Sequence, residues 1–434
     1  MIPSRRCYFL LAAGGVGAAL LDILTNRQVS LNFLRIYNFV LLVMTIVDAS
    51  QVKSNAVEVS RKEIGKLSVG RDNPIALKIV SKQKAIARIH DAYPVEFLVD
   101  KDTIEIELPP NSISEQTYII HPNRRGEYEW GKIQVRQLGK LGLAWRDWQV
   151  AAAQKVQVYP DLIGLKELAV RLSIENSGAM RQARRLGNGT EFAELREYRT
   201  GEDIRLIDWK ATARRDRPVV RVLEPEQEQT LFILLDRGRL MTAQVGGLKR
   251  FDYGVNATLS LAMAGLRRGD KVGVAVFDRD ITTWIPPERG NHHLSKLVER
   301  LTPIQPVLLE PDYLGAVTKV ITQQTRRALV VVITDLVDVT ASGELLNAIM
   351  RLTSRYLPFC VTLNDPIVEQ IAHTHTDNTR DTFARATALN LLAQRQLAFT
   401  QLRQKGVLVL DAPCDRVSEE LVDRYLILKA RNLL

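Results

Sequence analysis

Two apolar stretches within the first fifty residues constrain this chain most, because each approaches the length that crosses a lipid bilayer. Residues 7–24 are apolar except for Asp22. Residues 31–49 are also mainly apolar, with the exceptions Asn32, Arg35, Asn38 and Asp48. A helix needs about 20 apolar residues to span the hydrocarbon core. Only residues 25–30 separate the two stretches, so we predict a helical hairpin with a tight turn.

The basic residues around this hairpin predict its orientation. Arg5 and Arg6 precede the first stretch, and Arg27 lies in the turn. Lys53, Arg61 and Lys62 follow the second stretch. By the positive-inside rule, both ends of the hairpin are cytoplasmic. We therefore predict residues 1–52 to be a transmembrane hairpin in the inner (plasma) membrane, with the soluble part in the cytoplasm. The alternative is a cleaved signal peptide, but a second apolar stretch follows instead of a cleavage site.

Residues 55–160 contain short runs in which apolar and polar residues alternate. Examples are residues 103–108, 132–136 and 155–159. A period of two is typical of strands with one buried face and one solvated face. About a hundred residues of this kind, without a long helical pattern, predict an all-β sandwich with an immunoglobulin-like architecture.

The pattern changes in residues 227–434, where continuous apolar runs alternate with segments of helical periodicity. The runs are residues 230–235, 271–277, 328–334, 357–363 and 406–410. Such strands are typical of a parallel sheet that helices cover on both faces. We therefore predict a C-terminal α/β doubly wound domain, with residues 161–226 connecting it to the sandwich.

Four of these predicted strands end in an aspartate. The residues are Asp236, Asp278, Asp335 and Asp411. Ligands of open α/β sheets bind beyond the carboxyl ends of the strands, so these carboxylates are candidates for a cation site. Aspartate also caps the helices that follow strands, and the sequence does not separate the two interpretations.

The connecting segment carries a motif that is specific for a family. It reads Gly189-Thr-Glu-Phe-Ala-Glu-Leu-Arg-Glu-Tyr198, followed by Gly201-Glu-Asp-Ile-Arg-Leu-Ile-Asp-Trp-Lys210 and Ala211-Thr-Ala-Arg214. This stretch resembles the signature of the "domain of unknown function 58" family. The hairpin, the β-rich region and the closing residues 424–431 agree with the layout of that family. The resemblance implies that the C-terminal domain is of the von Willebrand factor type A kind.

The resemblance also implies a role in binding. Members of this family resemble partners encoded beside MoxR-type AAA+ ATPases, in chaperone-like or complex-assembly systems. The chain is therefore expected to be a scaffold or adaptor that binds a protein partner, with a MoxR-type ATPase as the candidate.

The type A fold further implies a metal-ion-dependent adhesion site. There an Asp-x-Ser-x-Ser motif, a Thr and a later Asp hold Mg²⁺. Here the first motif reads Asp236-Arg-Gly-Arg-Leu240, so Gly238 and Leu240 replace two hydroxyl ligands. Asp335 matches the later Asp, and the Thr corresponds to the region of residues 312–313. We expect a degenerate site with Asp236 and Asp335 as candidate Mg²⁺ ligands, and metal-dependent ligand binding is the alternative function.

The signature mixes charged side chains with apolar anchors. The candidate partner-binding residues are Glu191, Phe192, Leu195, Arg196, Tyr198, Gly201, Asp203, Arg205, Asp208, Trp209, Lys210 and Arg214. An internal ion-pair network would explain the charges, because buried charges must be paired. A binding face is the other interpretation, since tryptophan flanked by basic residues is typical of interface hot spots.

Composition and motifs argue against two other classes of function. The net charge of +10 suits an anionic partner, but residues 181–221 hold eleven basic and seven acidic residues, and such mixed signs favour a protein over nucleic acid. The sequence has no Gly-x-Ser-x-Gly elbow and no Gly-x-x-x-x-Gly-Lys-Ser/Thr loop. We therefore expect neither a hydrolase nor another enzyme, and no nucleic-acid partner.

Overall fold

The computed structural model of the chain describes residues 1–24, 27–186, 191–199, 204–224, 229–336, 343–374 and 379–431. The chain forms two compact units, Met1–Tyr159 and Pro160–Leu434. Each unit has its own sheets and its own buried core.

The first unit begins with two antiparallel helices. Helix α1 spans Arg5–Leu24 and helix α2 spans Arg27–Ser54. Both are long and apolar enough to cross a membrane, and most of their apolar side chains are exposed in the isolated chain. The predicted helical hairpin is therefore confirmed, although α2 continues five residues beyond the predicted end at residue 49.

The two helices approach closely where small residues line the contact. A side chain at Gly14 would collide with the ring of Tyr37, so only glycine allows this packing. The hydroxyl of Tyr37 donates to the carbonyl oxygen of Leu10 at 2.9 Å, and that of Ser30 donates to the carbonyl oxygen of Ala18 at 2.8 Å. These polar groups thus find partners inside the hairpin, as a lipid environment requires.

Twelve strands make up most of the rest of this unit. They are β1 (Ile2–Pro3), β2 (Glu58–Arg61), β3 (Leu67–Ser68), β4 (Asn73–Ser81), β5 (Ala85–Asp91), β6 (Leu98–Val99), β7 (Ile104–Leu108), β8 (Ser112–His121), β9 (Gly126–Trp130), β10 (Ile133–Leu138), β11 (Ala144–Val150) and β12 (Gln154–Tyr159). They form sheets with the orders β1-β11-β10-β5-β7, β2-β4-β8-β6 and β3-β12-β9. The predicted β-rich character of this region is confirmed, because all three alternating runs fall on strands.

A buried carboxylate joins helix α2 to the turn between β10 and β11. Asp48 is 0% exposed and accepts hydrogen bonds from the backbone N–H groups of Leu141, Leu143 and Ala144 at 2.8, 2.9 and 3.2 Å. A side chain at Gly139 would collide with this carboxylate. Asp48 interrupts the second apolar stretch of the sequence because it caps the turn of a neighbouring sheet and does not contact solvent.

We predict that Asp48→Ala loosens this turn without unfolding the strands beside it. A hydrogen bond to a charged group contributes about 1.5–3 kcal/mol, so the amides of Leu141, Leu143 and Ala144 should exchange about tenfold or more faster. Hydrogen exchange read by mass spectrometry on the full chain in detergent measures this. Asp22→Ala, which removes an exposed acid of α1, is the matched control. Unchanged protection of residues 139–144 in Asp48→Ala would contradict the role assigned to Asp48.

The second unit contains the larger sheet and nine helices among its described residues. Its strands are β13 (Glu191–Glu197), β14 (Val219–Glu224), β15 (Thr230–Asp236), β16 (Gln244–Val245), β17 (Leu248–Lys249), β18 (Lys271–Phe277), β19 (Ile281–Glu288), β20 (Leu329–Thr334), β21 (Leu357–Asn364) and β22 (Leu408–Pro413). Its helices are α3 (Leu162–Leu186), α4 (Trp209–Arg215), α5 (Arg250–Arg267), α6 (Asn291–Leu301), α7 (Tyr313–Gln323), α8 (Gly343–Met350), α9 (Pro366–His373), α10 (Thr379–Gln404) and α11 (Val417–Ala430). Short 3₁₀ turns lie at Ile204–Leu206 and Arg239–Thr242.

Six strands form one sheet in the order β19-β18-β15-β20-β21-β22. All neighbours pair in parallel except β19, which pairs antiparallel with β18 at the edge. The five predicted strands are confirmed and pair in parallel, and a sixth strand, β19, makes the sheet mixed. The missed strand contains Pro286 and Pro287, which argue against a strand in a sequence and are tolerated at a sheet edge.

Alternate residues of the central strand β15 face different helices. Phe232 and Leu234 pack into a core with residues of α7, α8 and α10. On the opposite face, Leu235 lies beside Gly254 of α5, and Leu231 lies beside Gly265 of the same helix. Both faces of the sheet are therefore covered, which explains why the strands read as continuous apolar runs.

Candidate functional site

The two predicted metal ligands lie at the carboxyl ends of neighbouring strands. Asp236 ends β15 and Asp335 directly follows β20, and these strands pair in parallel with Leu235 opposite Ile333. Both aspartates are buried. The structure therefore brings together the two side chains that the sequence singled out.

Protein donors contact both carboxylate oxygens of Asp236. Oδ1 accepts from the backbone N–H of Gly238 at 2.6 Å, and Oδ2 accepts from the hydroxyls of Thr334 at 2.6 Å and Tyr313 at 3.0 Å. Tyr313 lies in the region where the sequence comparison placed the missing hydroxyl ligand. Burial raises the pKa of Asp236 to about 6, although these hydrogen bonds oppose the shift.

Arginines contact both carboxylate oxygens of Asp335. Nη1 of Arg250 donates to Oδ2 at 2.7 Å, and Nη1 of Arg395 donates to Oδ1 at 2.8 Å. Nη2 of Arg395 also reaches Oδ1 of Asp411 at 2.7 Å, and this atom accepts from the hydroxyl of Thr362 at 2.9 Å. We call Asp236, Asp335, Asp411, Arg250 and Arg395 the strand-end cluster. The sequence analysis missed both arginines, which lie 85 and 60 residues from Asp335.

The residues of the strand-end cluster do not fit Mg²⁺. This ion requires close to six oxygen ligands in octahedral geometry. Here the oxygens of Asp236 and Asp335 accept from N–H and O–H groups of the protein, and Gly238 and Leu240 offer no side-chain oxygen. Among the described residues, no group of three or more His, Cys, Asp or Glu side chains is arranged to hold a metal.

The alternative that the strand-end aspartates cap helices also fails for two of them. Asp236 accepts from the N–H of Gly238, and Asp278 accepts from the N–H of Asp280 at 3.1 Å, so each closes a tight turn after its strand. Asp278 additionally accepts from Nε of Arg237 at 2.7 Å. Local turns and ion pairs therefore account for these acids.

The signature residues lie on a small subdomain of the second unit. Strands β13 and β14 pair antiparallel, and the turn Ile204–Leu206 and helix α4 connect them. Of the predicted residues, β13 carries Glu191, Phe192, Leu195 and Arg196, Tyr198 follows it, Arg205 lies in the turn, and Asp208, Trp209, Lys210 and Arg214 lie at or in α4. Gly201 and Asp203 fall outside the described residues.

Part of the signature charge is paired internally. Asp208 caps α4 by accepting from the N–H groups of Lys210 at 3.1 Å and Ala211 at 3.0 Å, and it also accepts from Nη2 of Arg221 at 2.6 Å. The bond from Arg221 lowers the pKa of Asp208 below its usual value. Arg217 forms a second ion pair with Glu197. These pairs hold α4 against the two strands.

The remaining surface of α4 is exposed. Trp209 is 67% exposed and Ile204 is 62% exposed, and beside them Lys210, Arg214 and Arg215 also face solvent. We call these five residues the α4 surface. A groove next to it is lined by Arg205, Leu206, Ile207, Asp208, Trp209 and Arg221. An exposed tryptophan among cations differs from the buried aromatic residues that dominate the core.

The strand order and the antiparallel edge strand define a mixed α/β domain in the second unit. Residues 194–388 match the family described as "Protein of unknown function DUF58". An uncharacterised protein of Mycobacterium tuberculosis (strain ATCC 25618 / H37Rv) is 24% identical over 151 residues, which cover 34% of this chain and 48% of the relative. The uncharacterised protein YeaD of Bacillus subtilis (strain 168) is 24% identical over 181 residues, covering 41% and 42%. The chain thus spans less than half the length of these relatives.

Three solved structures are similar to part of this chain at low sequence identity. BatB from Bacteroides thetaiotaomicron has 13% identity and a TM-score of 0.32, and the similarity covers 47% of this chain and 99% of that chain. The SpRpn10 VWA domain has 10% identity and a TM-score of 0.31, covering 45% and 94%. An aerotolerance-related membrane protein from Bacteroides fragilis NCTC 9343 has 17% identity and a TM-score of 0.32, covering 47% and 99%. These similarities carry no information about activity.

We predict that Asp236→Asn removes one component of the pH dependence of stability. Because the folded pKa of Asp236 lies near 6, above its unfolded value, the folded state binds the extra proton and loses stability as the pH rises from about 4 to 6. From pH 4.5 to 7.5 the loss is about 2 kcal/mol. Urea unfolding of the full chain in detergent at both pH values measures it. An equal pH dependence in the parent and in Asp236→Asn would contradict the raised pKa.

Proposed function

We propose that this chain is a membrane-anchored adaptor whose β region and second unit face the cytoplasm and whose α4 surface binds a protein partner. The proposed partner is a MoxR-type AAA+ ATPase, and the process is complex assembly or chaperone-like maturation. The observation that carries the proposal is the exposed Trp209 beside Lys210, Arg214 and Arg215. Tryptophan and arginine are the residues most enriched at interface hot spots.

The apolar exposure of α1 and α2 supports the membrane anchor. Phe9, Ile23, Leu24 and Phe39 are each at least 66% exposed, although they belong to helices of 20 and 28 residues. A soluble protein rarely leaves so large a contiguous apolar surface in water. In a bilayer this surface would contact lipid, and the immunoglobulin-like β region would be a spacer on the cytoplasmic side.

Charge complementarity supports an acidic segment on the partner. Residues 204–221 contain six basic and two acidic side chains, and Asp208 is already paired with Arg221. Arg217 pairs with Glu197, and the exposed Lys210, Arg214 and Arg215 keep the net charge of this segment positive. An acidic partner segment would be steered to these cations, while the ring of Trp209 would supply apolar contact area next to the groove.

A binding role agrees better with the strand-end cluster than catalysis does. A general base or nucleophile needs a carboxylate that can reach a substrate. Both oxygens of Asp236 and of Asp335 accept internal hydrogen bonds, and both side chains are buried. Metal-dependent ligand binding at this edge is disfavoured for the same reason.

We predict that Trp209→Ala weakens binding of the purified ATPase at least tenfold. Truncating a hot-spot tryptophan costs about 2 kcal/mol or more. The measurement is the Kd between the full chain in detergent and the MoxR-type ATPase from the same genome, by biolayer interferometry. Phe383→Ala is the matched control, because Phe383 is 71% exposed in the same unit but lies on α10.

Two results would count against this proposal in different ways. If the parent, Trp209→Ala and Phe383→Ala bind the ATPase with equal affinity, the α4 surface is excluded as the binding site. The ATPase is then not excluded as the partner. No binding of the parent protein to the ATPase, under conditions in which the chain is folded, would exclude the partner itself.

We predict that single cysteines reveal the orientation of the hairpin. The native residues Cys7, Cys360 and Cys414 are buried, so they give little background labelling. Val29→Cys, at the turn between α1 and α2, should react with a membrane-impermeant maleimide in intact cells. Lys101→Cys and Phe383→Cys, on exposed positions of the first and second units, should react only after permeabilisation. Labelling of these two positions in intact cells would refute the cytoplasmic location.

A further inference from the structure

We propose that the guanidinium groups of Arg250 and Arg395 take the place of a divalent cation at the strand ends, so that this edge keeps its structure without metal. The inference concerns the strand-end cluster, and it does not depend on the α4 surface. It explains why an edge that carries the buried Asp236 and Asp335 and the half-buried Asp411 lacks hydroxyl side chains at positions 238 and 240.

The charges of the cluster balance without an added ion. Asp335 and Asp411 carry two negative charges, and Arg250 and Arg395 carry two positive charges at 2.7–2.8 Å from their carboxylate oxygens. The side chain of Arg395 is only 7% exposed, and the neighbouring acids keep its guanidinium charged despite burial. A divalent cation that approached Asp335 would meet two guanidiniums that already occupy its oxygens and would repel it.

The arginines also connect the strand ends to one another, as a bound ion would. Arg395 extends from α10 to Asp335 after β20, to the carbonyl oxygen of Leu336, and to Asp411 in β22. It thereby links the ends of two strands that are separated in the sheet by β21. Planar guanidinium groups suit such bridging, because their N–H groups point in fixed directions toward two acceptors.

Arg250 completes the bridge on the other side of Asp335. It is the first residue of α5, and its Nη1 contacts both Asp335 and the carbonyl oxygen of Leu240 at 3.3 Å. Leu240 stands where the sequence pattern of the metal site calls for a hydroxyl ligand. Arg250 therefore ties the loop after β15 to the end of β20.

Asp236, which the sequence analysis also predicted to be a metal ligand, accepts hydrogen bonds from neutral donors. Thr334, Tyr313 and Gly238 occupy its two oxygens. Because every carboxylate oxygen of Asp236 and Asp335 already accepts from the protein, an ion would have to compete with these donors. If the proposed adaptor function holds, binding of the partner should then persist in a chelator.

The first test compares the thermal unfolding of the full chain in detergent with EDTA, with Mg²⁺ and with Mn²⁺. We expect the same Tm in all three conditions. Arg395→Met should lower Tm by about 10 °C, because it leaves Asp335 and Asp411 partly unpaired inside the protein. Arg239→Met is the matched control at the same edge, since its ion pair with Glu310 is exposed and should contribute little.

The second test asks whether removing the arginines restores a need for metal. In the double variant Arg250→Met/Arg395→Met, Mn²⁺ should raise Tm, whereas it leaves Tm of the parent unchanged. A folded double variant without a response to Mn²⁺ would contradict the substitution of arginine for metal. If the double variant does not fold, the test is made on the parent protein. A parent Tm that falls in EDTA, or Mn²⁺ binding that Asp335→Asn abolishes, overturns the proposal.

Discussion

The position of Asp335 between two arginines is the interaction on which the second unit depends most. Its carboxylate is buried at the end of a central strand, where an unpaired charge would cost several kcal/mol. Arg250 and Arg395 offset that cost and, in doing so, tie α5, α10 and three strand ends together. The edge of the sheet where α/β proteins usually bind ligands is therefore occupied by the chain's own side chains.

The first unit uses a related solution with different donors. Asp48 is as fully buried as the strand-end acids, but backbone N–H groups of the turn between β10 and β11 replace guanidiniums. The end of α2 is thereby fixed to the sheet that follows it. A carboxylate with three donors holds one geometry, so the orientation of α2 relative to this sheet is fixed.

The sequence predicted the elements better than the contacts between them. Apolar length predicted α1 and α2, and continuous apolar runs predicted the five parallel strands, because each signal is local. The prolines of β19 concealed an edge strand, since edge pairing tolerates a residue that local rules exclude. Arg250 and Arg395 could not be found at all, because nothing in their neighbouring residues shows that distant aspartates lie within 3 Å. The same applies to Asp208, whose partner Arg221 lies on β14.

The two candidate sites differ in how far their polar groups are paired inside the protein. At the strand ends, arginines inside the protein already pair with the carboxylate oxygens of Asp335, so a ligand would have to displace existing ion pairs at a high cost in desolvation. At α4 the internal pairs involve Asp208 and Glu197, while Trp209 and the neighbouring cations remain in water. A partner gains there by covering an apolar ring and by pairing cations that are only weakly satisfied by solvent. This energetic asymmetry supports the proposal that recognition occurs at the α4 surface, while the strand-end cluster has a structural role.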